Sequence, residues 1–235
     1  MLKGNGRGLR VRVGESALSR IVRNGERAVE DAFLDLLRPG DVVYDIGANI
    51  GWYTLLAARR VGPTGRVVAF EPGLANASCV QRNAAINGLA NVTVVPAAVS
   101  DQDGWATFLD NGSLMSRLDK DDDAAQAKRR AAKNQDSRGK IPVPVLALDT
   151  WIGQTGQAPP NVVKIDIEGA EIGALRGMRE TLRAAAPTLI VELHATRTAV
   201  ADLLDEANYE HRPIECDTPT REAPGWAHIL ASPRA

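Results

Sequence analysis

Apolar residues along this chain follow two alternating patterns: short runs rich in β-branched residues, and longer stretches with apolar positions at helical spacing. The runs predict strands, and the stretches between them predict helices. The predicted strands are residues 42–45, 66–70, 91–95, 162–167, 189–193, 209–214 and 227–231. The predicted helices are residues 26–37, 52–60, 76–87, 170–183 and 196–207. This alternation predicts an α/β fold, with a parallel sheet, helices on both faces and right-handed crossovers.

A second pattern interrupts the alternation after the third strand. Trp105, Thr107 and Leu109 alternate like a short strand. The antiparallel partner that we predict for it contains Val143, Val145, Ala147 and Leu148. Between the two, residues 119–140 hold an acidic run followed by a basic, alanine-rich run, an order that suits a helix dipole. We predict a surface helix or a mobile insertion there, with a substrate lid or partner site as the alternative.

The domain organisation follows from length and from the absence of a linker. A chain of 235 residues suffices for one α/β domain of ordinary size. No internal repeat or low-complexity stretch marks a second domain. We therefore predict one domain over residues 26–235, which includes the charged insertion at 119–140 and is preceded by an N-terminal arm of residues 1–25.

Composition and charge limit the classes of function. Charged residues make up 24% of the chain, but the net charge is only -1, so nucleic acid is not an expected partner. Cys79 and Cys216 lie far apart without zinc-ligand spacing, which predicts two buried reduced thiols. The sequence has no run of about 18 apolar residues and no leader-like apolar segment, so we expect a cytoplasmic protein that does not bind membranes. The oligomeric state stays open.

A strand, a tight turn and a helix start follow one another between residues 42 and 54. The strand ends in Asp45, and the turn contains Gly47, Asn49 and Gly51. Glycine permits a positive φ and lets a ligand approach without a Cβ in the way. The helix N–H groups would face that ligand at the carboxyl end of the strand. The pattern predicts a ligand over the turn, and a turn without a ligand is the alternative.

The second predicted strand ends in Glu71 and Pro72, about 20 residues beyond the turn. In nucleotide-binding α/β folds, an acid at this position accepts hydrogen bonds from the ribose hydroxyls of the ligand. A nicotinamide dinucleotide would require Gly-x-Gly-x-x-Gly for its pyrophosphate. This turn instead begins with the carboxylate of Asp45, which suits a cationic ligand. S-adenosylmethionine carries a sulfonium and an ammonium, so it is the predicted cofactor. Its adenine would contact the segment around Ala98.

Several short motifs occur together in one order, namely Asp45-Ile-Gly-Ala-Asn-Ile-Gly-Trp-Tyr-Thr54, Phe70-Glu-Pro72, Asn83 with Asn87, Leu148-Asp-Thr-Trp-Ile152, Lys164-Ile-Asp-Ile-Glu-Gly-Ala-Glu171 and Ile190-Val-Glu-Leu-His194. With this set, residues 26–230 resemble the FkbM-type branch of the class I S-adenosylmethionine-dependent methyltransferases. The resemblance implies a Rossmann-like, seven-stranded sheet whose last strand runs antiparallel, with the cofactor over strands one and two. It also implies methyl transfer to an oxygen or, in some members, a nitrogen. The insertion at 119–140 is longer than the family's usual connection.

Charged residues gather at the ends of predicted strands four and five. Alternation places Lys164 and Asp166 on one face of strand four. It likewise places Glu192 and His194 on one face of strand five. If the two strands are neighbours, these groups converge with Glu168 at the carboxyl edge of the sheet. We predict that Lys164 and Glu192 form an ion pair across the strands.

These groups suggest roles in methyl transfer, which requires alignment of the reacting groups and removal of the acceptor's proton. His194 is the predicted general base, because an ordinary pKa of about 6.5 leaves much of it neutral. The alternative is a histidine merely hydrogen-bonded at a strand end. Asp166 is predicted to bind the cofactor's ammonium or orient the acceptor. Glu168 is predicted to be a substrate ligand or second base, unless it only faces the dipole of the next helix. All three are acceptable metal ligands, but no metal is predicted.

The predicted function is methylation of a hydroxyl on a sugar, a glycan or a natural product. Methylation of nitrogen on a peptide or amine is one alternative, and a nicotinamide-dependent oxidoreductase is another. A binding module that keeps the cofactor pocket without turnover is the third. Loops around a fixed scaffold set specificity, so the arm, the insertion and residues 217–225 are expected to select the acceptor.

Overall fold

The structure is a computed structural model that describes residues 4–12, 27–109, 117–118 and 140–234. Its helices are α1 (Arg27–Leu36), α2 (Trp52–Val61), α3 (Leu74–Ile86), α4 (Leu148–Thr155), α5 (Glu171–Arg176), α6 (Arg179–Ala184) and α7 (Arg197–Glu206). Its strands are β1 (Val42–Ile46), β2 (Arg66–Phe70), β3 (Val92–Val95), β4 (Ala98–Ser100), β5 (Gly104–Leu109), β6 (Arg117–Leu118), β7 (Lys140–Ala147), β8 (Val162–Ile165), β9 (Thr188–Glu192), β10 (Tyr209–Pro213) and β11 (His228–Pro233).

The main sheet has seven strands in the order β10-β11-β9-β8-β1-β2-β3. The pairs among β9, β8, β1, β2 and β3 are parallel. Strand β11, the last in the chain, runs antiparallel to both of its neighbours. The predicted seven-stranded, mostly parallel α/β sheet is confirmed. Its carboxyl edge brings the ends of β1, β2, β8 and β9 next to one another.

Alternate residues of the central strands bury opposite faces of this sheet. Val43 of β1 packs with Phe33 of α1 and Ala57 of α2 on one face. Tyr44, the next residue, packs with Leu175 of α5 on the other face. Each fully buried apolar side chain of this size contributes about 1.5–3 kcal/mol. The two-residue period of β1 therefore places helices on both faces and directs Asp45 to the same face as Val43.

A second sheet, in the order β4-β7-β5-β6, continues from the end of β3. Strands β5 and β7 pair antiparallel, with Trp105 opposite Pro144, as the alternation predicts. The prediction was wrong at Leu148, which begins α4 instead of extending β7. The physical reason is burial: Leu148 is fully buried and packs into the core beneath the main sheet.

The predicted helix at 170–183 is divided into α5 and α6. Gly177 lies at the break, and a Cβ on it would come within 1.9 Å of the main-chain oxygen of Ser100. The Asp149 carboxylate of α4 accepts hydrogen bonds from the N–H groups of Glu180 and Thr181, at 2.8 and 2.9 Å. N–H groups in the first turn of a helix have no acceptor within that helix, so Asp149, which is distant in sequence, caps the N-terminus of α6.

Three further predictions concern other parts of the chain. The predicted helix within 119–140 lies outside the described residues, except that β7 begins at Lys140. Both cysteines are free, but they are half-buried, so the prediction of buried thiols was wrong. Cys79 lies at the surface of α3 beneath the arm and Cys216 in the loop after β10. Among the described residues, no helix is long and apolar enough to cross a membrane.

Candidate functional site

The glycine turn after β1 is pressed against neighbouring elements. Gly47 has a φ of 84°, and a Cβ on it would lie 1.9 Å from the main-chain oxygen of Asp166. Gly51 has a φ of 89°, and a Cβ there would lie 3.0 Å from Cγ1 of Val80 in α3. The N–H of Gly47 donates to the Phe70 oxygen at the end of β2, at 2.9 Å. Both glycines are required, because positive φ coincides with close approach.

Asp45 lies beneath this turn and is only 1% exposed. Its Oδ2 accepts a hydrogen bond of 2.5 Å from the Thr54 hydroxyl. In the described part of the chain, its Oδ1 is buried without a hydrogen-bond partner. Burial raises the pKa of Asp45, and the nearby charge of Lys164 offsets part of that rise. The turn thus carries a buried acceptor oxygen whose capacity is not used.

Glu71 joins the turn to the end of β2. Its Oε2 accepts a hydrogen bond from the N–H of Asn49, and its Oε1 accepts one from Gly73, both at 2.8 Å. Asn49 adopts a positive φ of 54°, which presents its N–H to that carboxylate. Burial raises the pKa of Glu71 to about 7, although these hydrogen bonds lower it in part. Pro72, also buried, follows directly.

Lys164 is a buried cation at the end of β8, only 2% exposed. Its Nζ lies 3.0 Å from Oδ2 of Asp166 and 4.3 Å from the ring centre of Tyr53. The predicted ion pair between Lys164 and Glu192 was therefore wrong. The Lys164 ammonium instead pairs with Asp166, two residues further along the chain. Burial alone raises the pKa of Asp166, but the charge of Lys164 outweighs it and holds that pKa well below its ordinary value.

Asp166, Glu192 and His194 converge from β8 and β9, with one ligating atom of each within 4.8 Å of the others. The sequence prediction that strand alternation brings them together is confirmed. Burial and the adjacent Asp166 raise the pKa of Glu192 to about 9, so its carboxyl keeps a proton at neutral pH. This spacing would allow the three atoms to bind one metal ion. That the enzyme uses no metal stays a prediction.

His194 is oriented by Glu171, a residue to which the sequence assigned no role. Its Nδ1 lies 2.9 Å from Oε1 of Glu171, which is fully buried. Glu171 also accepts hydrogen bonds from the Gly169 N–H and the Thr196 hydroxyl, at 2.8 and 3.0 Å. With Nδ1 held, Nε2 of His194 faces Glu168 and Glu192, at 3.6 and 3.5 Å.

These contacts change the protonation of His194. Burial alone lowers the pKa of His194, but the hydrogen bond to Glu171 and the charges of Glu171 and Glu168 outweigh it and raise the pKa to about 9. The imidazole is therefore mostly protonated at neutral pH. The carboxylates that raise the pKa of His194 come together only in the fold, so the sequence alone predicts an ordinary pKa for this histidine. Glu171 was missed because an acid in the first turn of a helix is adequately explained by the helix dipole.

The structure thus divides the predicted residues into two adjoining groups. Asp45, Gly47, Asn49, Gly51, Glu71 and Pro72 surround the turn between β1 and β2. Asp166, Glu168 and His194 stand at the ends of β8 and β9, and the contact of Gly47 with Asp166 joins the groups. Ala98 is buried in β4, where it pairs with Val145. Tyr53 is buried in the core, and Trp52 and Trp151 are partly buried against it. Trp151 packs edge-on against Phe70.

The chain is similar to known proteins over most of its length. A model of the methyltransferase FkbM domain matches residues 45–212. The 31-O-demethyl-FK506 methyltransferase FkbM of Streptomyces tacrolimicus is 30% identical over 186 residues, which are 72% of this chain and 71% of that protein. The hexuronic acid methyltransferase AglP of Haloferax volcanii is 28% identical over 188 residues, which are 78% of this chain and 69% of that protein.

A solved structure also shares the fold. The methyltransferase FkbM from Methylobacillus flagellatus KT superposes with a TM-score of 0.54 at 16% identity. The match covers 94% of this chain and 55% of that one, so this chain spans about half the length of that protein. The main sheet is that of the class I methyltransferases. Because the domain model covers most of the chain, this protein belongs to the FkbM methyltransferase family.

Proposed function

We propose that this enzyme transfers a methyl group from S-adenosylmethionine to a hydroxyl of a sugar, a glycan or a natural product. The observation that carries the proposal is the hydrogen-bonded pair of Glu171 and His194. The Nε2 of His194 faces Glu168 and Glu192, and His194 lies in one cluster with Asp166. Two relatives support the class of acceptor. One is named as a 31-O-demethyl-FK506 methyltransferase and the other as a hexuronic acid methyltransferase.

The residues around the turn fit this cofactor. Gly47 and Gly51 hold the turn close to Asp166 and Val80, and Oδ1 of Asp45 beneath the turn is a buried acceptor without a hydrogen-bond partner in the described residues, which suits a cationic ligand. Glu71 offers a carboxylate to ribose hydroxyls. S-adenosylmethionine supplies an electrophilic methyl group on a sulfonium. The residues proposed to hold it are Asp45, Gly47, Asn49, Gly51, Glu71, Pro72, Ala98 and Asp166.

The chemistry left to the protein is orientation and proton removal. We assign proton removal from the acceptor to Nε2 of His194, while Glu171 keeps Nδ1 protonated and fixes the ring. Asp166 and Glu168 border Nε2 and are placed to accept hydrogen bonds from neighbouring hydroxyls of the acceptor. A hydroxyl must lose its proton on methylation, and an ammonium or a peptide nitrogen must lose one too, so the base fits either atom. The acceptors named for the two relatives favour oxygen as the methylated atom.

The direct test is methyl transfer from labelled S-adenosylmethionine to a panel of acceptors. The panel contains uronic acids, neutral glycosides, hydroxylated macrolides and, as the contrasting class, peptides and amines. We expect label only in hydroxyl-bearing acceptors, with the methyl located on oxygen by mass spectrometry. Parallel reactions with a chelator test the prediction that no metal is needed. Label on nitrogen alone would replace the proposal with the N-methyltransferase, and cofactor binding without any transfer would favour a binding module.

Glu71 gives the cofactor site a predicted pH dependence. Its pKa is raised to about 7 by burial, with the charge of Asp45 adding to the rise, so it is largely protonated at pH 6 and ionised at pH 8. Only the ionised form accepts from both ribose hydroxyls while keeping its bonds to Asn49 and Gly73. Affinity for S-adenosylhomocysteine is therefore expected to increase about tenfold from pH 6 to pH 8.

The matched control for this pH dependence is Glu71→Gln, which keeps the shape and removes the titration. Calorimetry on this variant should give weak binding that changes little between the two pH values. If wild type and variant showed the same pH dependence, the ribose role of Glu71 would be rejected.

A further inference from the structure

Residues 9–12 of the N-terminal arm lie along α3, after a single 3₁₀ turn at Gly4–Gly6. Leu9 is buried and Val11 is half-buried, and both join the apolar cluster of Leu55 and Leu56 in α2. Arg10 and Arg12 alternate with them and are exposed. The arm is thus packed like an edge strand, with one side on the helices and the other in solvent.

Two asparagines of α3 bind the main chain of this arm. Oδ1 of Asn83 accepts from the Arg12 N–H at 2.8 Å, and its Nδ2 donates to the Arg12 oxygen at 3.2 Å. Asn87 does the same with Arg10, at 2.8 and 2.7 Å. Each amide therefore pairs with both polar groups of one arm residue, and neither pairing depends on the arm's side chains.

The spacing of these pairs follows from helix and strand geometry. Residues four apart on a helix are separated by about 6 Å along its axis. Residues two apart on an extended chain are separated by about 6.6 Å. Asn83 and Asn87 on α3 therefore match Arg12 and Arg10 on the arm, which runs antiparallel to the helix. This explains the paired asparagines that the sequence motif contains.

Asn83 makes one contact that Asn87 lacks. Its Nδ2 also donates to the main-chain oxygen of Ile50, at 3.0 Å, inside the glycine turn. Asn83 is fully buried, and the next residue of the turn, Gly51, packs on Val80 one turn earlier in α3. One side-chain amide thus bridges the arm and the turn.

The opposite end of the arm is also attached to the scaffold. The Arg59 guanidinium of α2 donates to the oxygens of Arg7, at 2.8 Å, and of Asn5. The Asn5 amide donates to Asp31 of α1 at 2.7 Å. Residues 4–12 are therefore fixed at both ends, so the pairing with Asn83 is held in place.

We propose that Asn83 is a positioning residue that couples Arg12 of the docked arm to the cofactor turn, so that the pairing of Asn83 with Arg12 sets the affinity for the cofactor. The inference rests on the proposed function in that the turn binds S-adenosylmethionine. Removing the amide leaves the Ile50 oxygen buried without its donor and frees the turn to move away from the arrangement that the ligand requires.

The test is calorimetric titration of S-adenosylhomocysteine into the full chain and three variants. Asn83→Ala is expected to weaken binding by about tenfold, since it leaves the buried carbonyl of Ile50 without its donor. Arg12→Pro removes the N–H that holds Oδ1 of Asn83 together with an exposed side chain, and it is expected to weaken binding by about threefold or more. Asn87→Ala is the matched control in the same helix and should bind within about twofold of wild type.

Hydrogen exchange provides a readout that needs no ligand. The amides of residues 48–51 should exchange faster in Asn83→Ala and in Arg12→Pro than in wild type. In Asn87→Ala their exchange rates should equal those of wild type. If Asn83→Ala fails to fold, Arg12→Pro carries the test. Equal affinity in wild type, Asn83→Ala and Arg12→Pro, or an equal loss in Asn83→Ala and Asn87→Ala, would overturn the inference. Failure of wild type to bind S-adenosylhomocysteine would instead contradict the proposed function, and the exchange data would still decide the coupling.

Discussion

Replacing His194 with asparagine is expected to lower kcat for methyl transfer by a factor of about 10² to 10⁴, because the acceptor hydroxyl then has no base to take its proton. Affinity for S-adenosylhomocysteine should change by less than about twofold, because the residues proposed to hold the cofactor remain in place. Turnover assays and calorimetry on the same preparation separate the two effects. A variant with the wild-type kcat would remove His194 from the mechanism.

The raised pKa of His194 gives this prediction a pH dependence with a defined sign. The base acts only when unprotonated, and its pKa is raised to about 9. Below that pH the active fraction falls, so kcat/KM is expected to rise by about tenfold per unit between pH 7 and pH 8.5. A histidine with an ordinary pKa would instead give a plateau above pH of about 7.5.

Glu171→Gln separates the two causes of that shift. A neutral amide still accepts the Nδ1–H hydrogen bond, but it no longer stabilises the imidazolium by charge. The acidic limb of the activity profile is therefore expected to move to lower pH, along with the His194 titration followed by NMR. The chain has only three histidines, which simplifies the spectrum. An unchanged His194 titration would contradict the role of Glu171.

Gly47→Ala is the substitution expected to damage the cofactor site most. A Cβ at this position would meet a main-chain oxygen, Asp166 O, at 1.9 Å, and Cγ2 of Ile167 at 2.8 Å. A non-glycine residue at positive φ costs about 1–2 kcal/mol, and relief of the contact requires the end of β8 to shift. The free energy of unfolding should fall by about 3 kcal/mol or more, with at least about tenfold weaker binding of S-adenosylhomocysteine.

Gly169→Ala is the matched control for this substitution. Gly169 also has a positive φ, of 93°, but a Cβ there would have nothing within 4 Å. It therefore tests the backbone strain alone, at about 1–2 kcal/mol of stability. Urea unfolding and calorimetry on both variants give the difference. Equal losses would show that strain, and not the contact between the turn and β8, makes glycine necessary at position 47.

Most of the main sheet could be predicted because its information is local. The run at 66–70 coincides with β2, and the predicted limits of β1 and β3 differ from the structure by one residue at one end. Apolar runs bounded by turn residues define such strands without knowledge of their partners. The division of the helix at Gly177 could not be predicted in this way, because its cause is the backbone of Ser100 in another strand.

The features of the candidate site likewise fall into those determined by neighbours along the chain and those determined by tertiary contacts. The sequence by itself determined the order of strands and helices, the glycine turn after Asp45, the acid at Glu71 and the shared strand face of Glu192 and His194. Only the tertiary structure decided that Lys164 pairs with Asp166, that Glu171 holds His194, and which carboxyls keep a proton. Period and spacing are properties of neighbours along the chain. Hydrogen-bond partners and pKa values depend on burial and on distances between residues far apart in sequence, which exist only once the strand ends have been brought together.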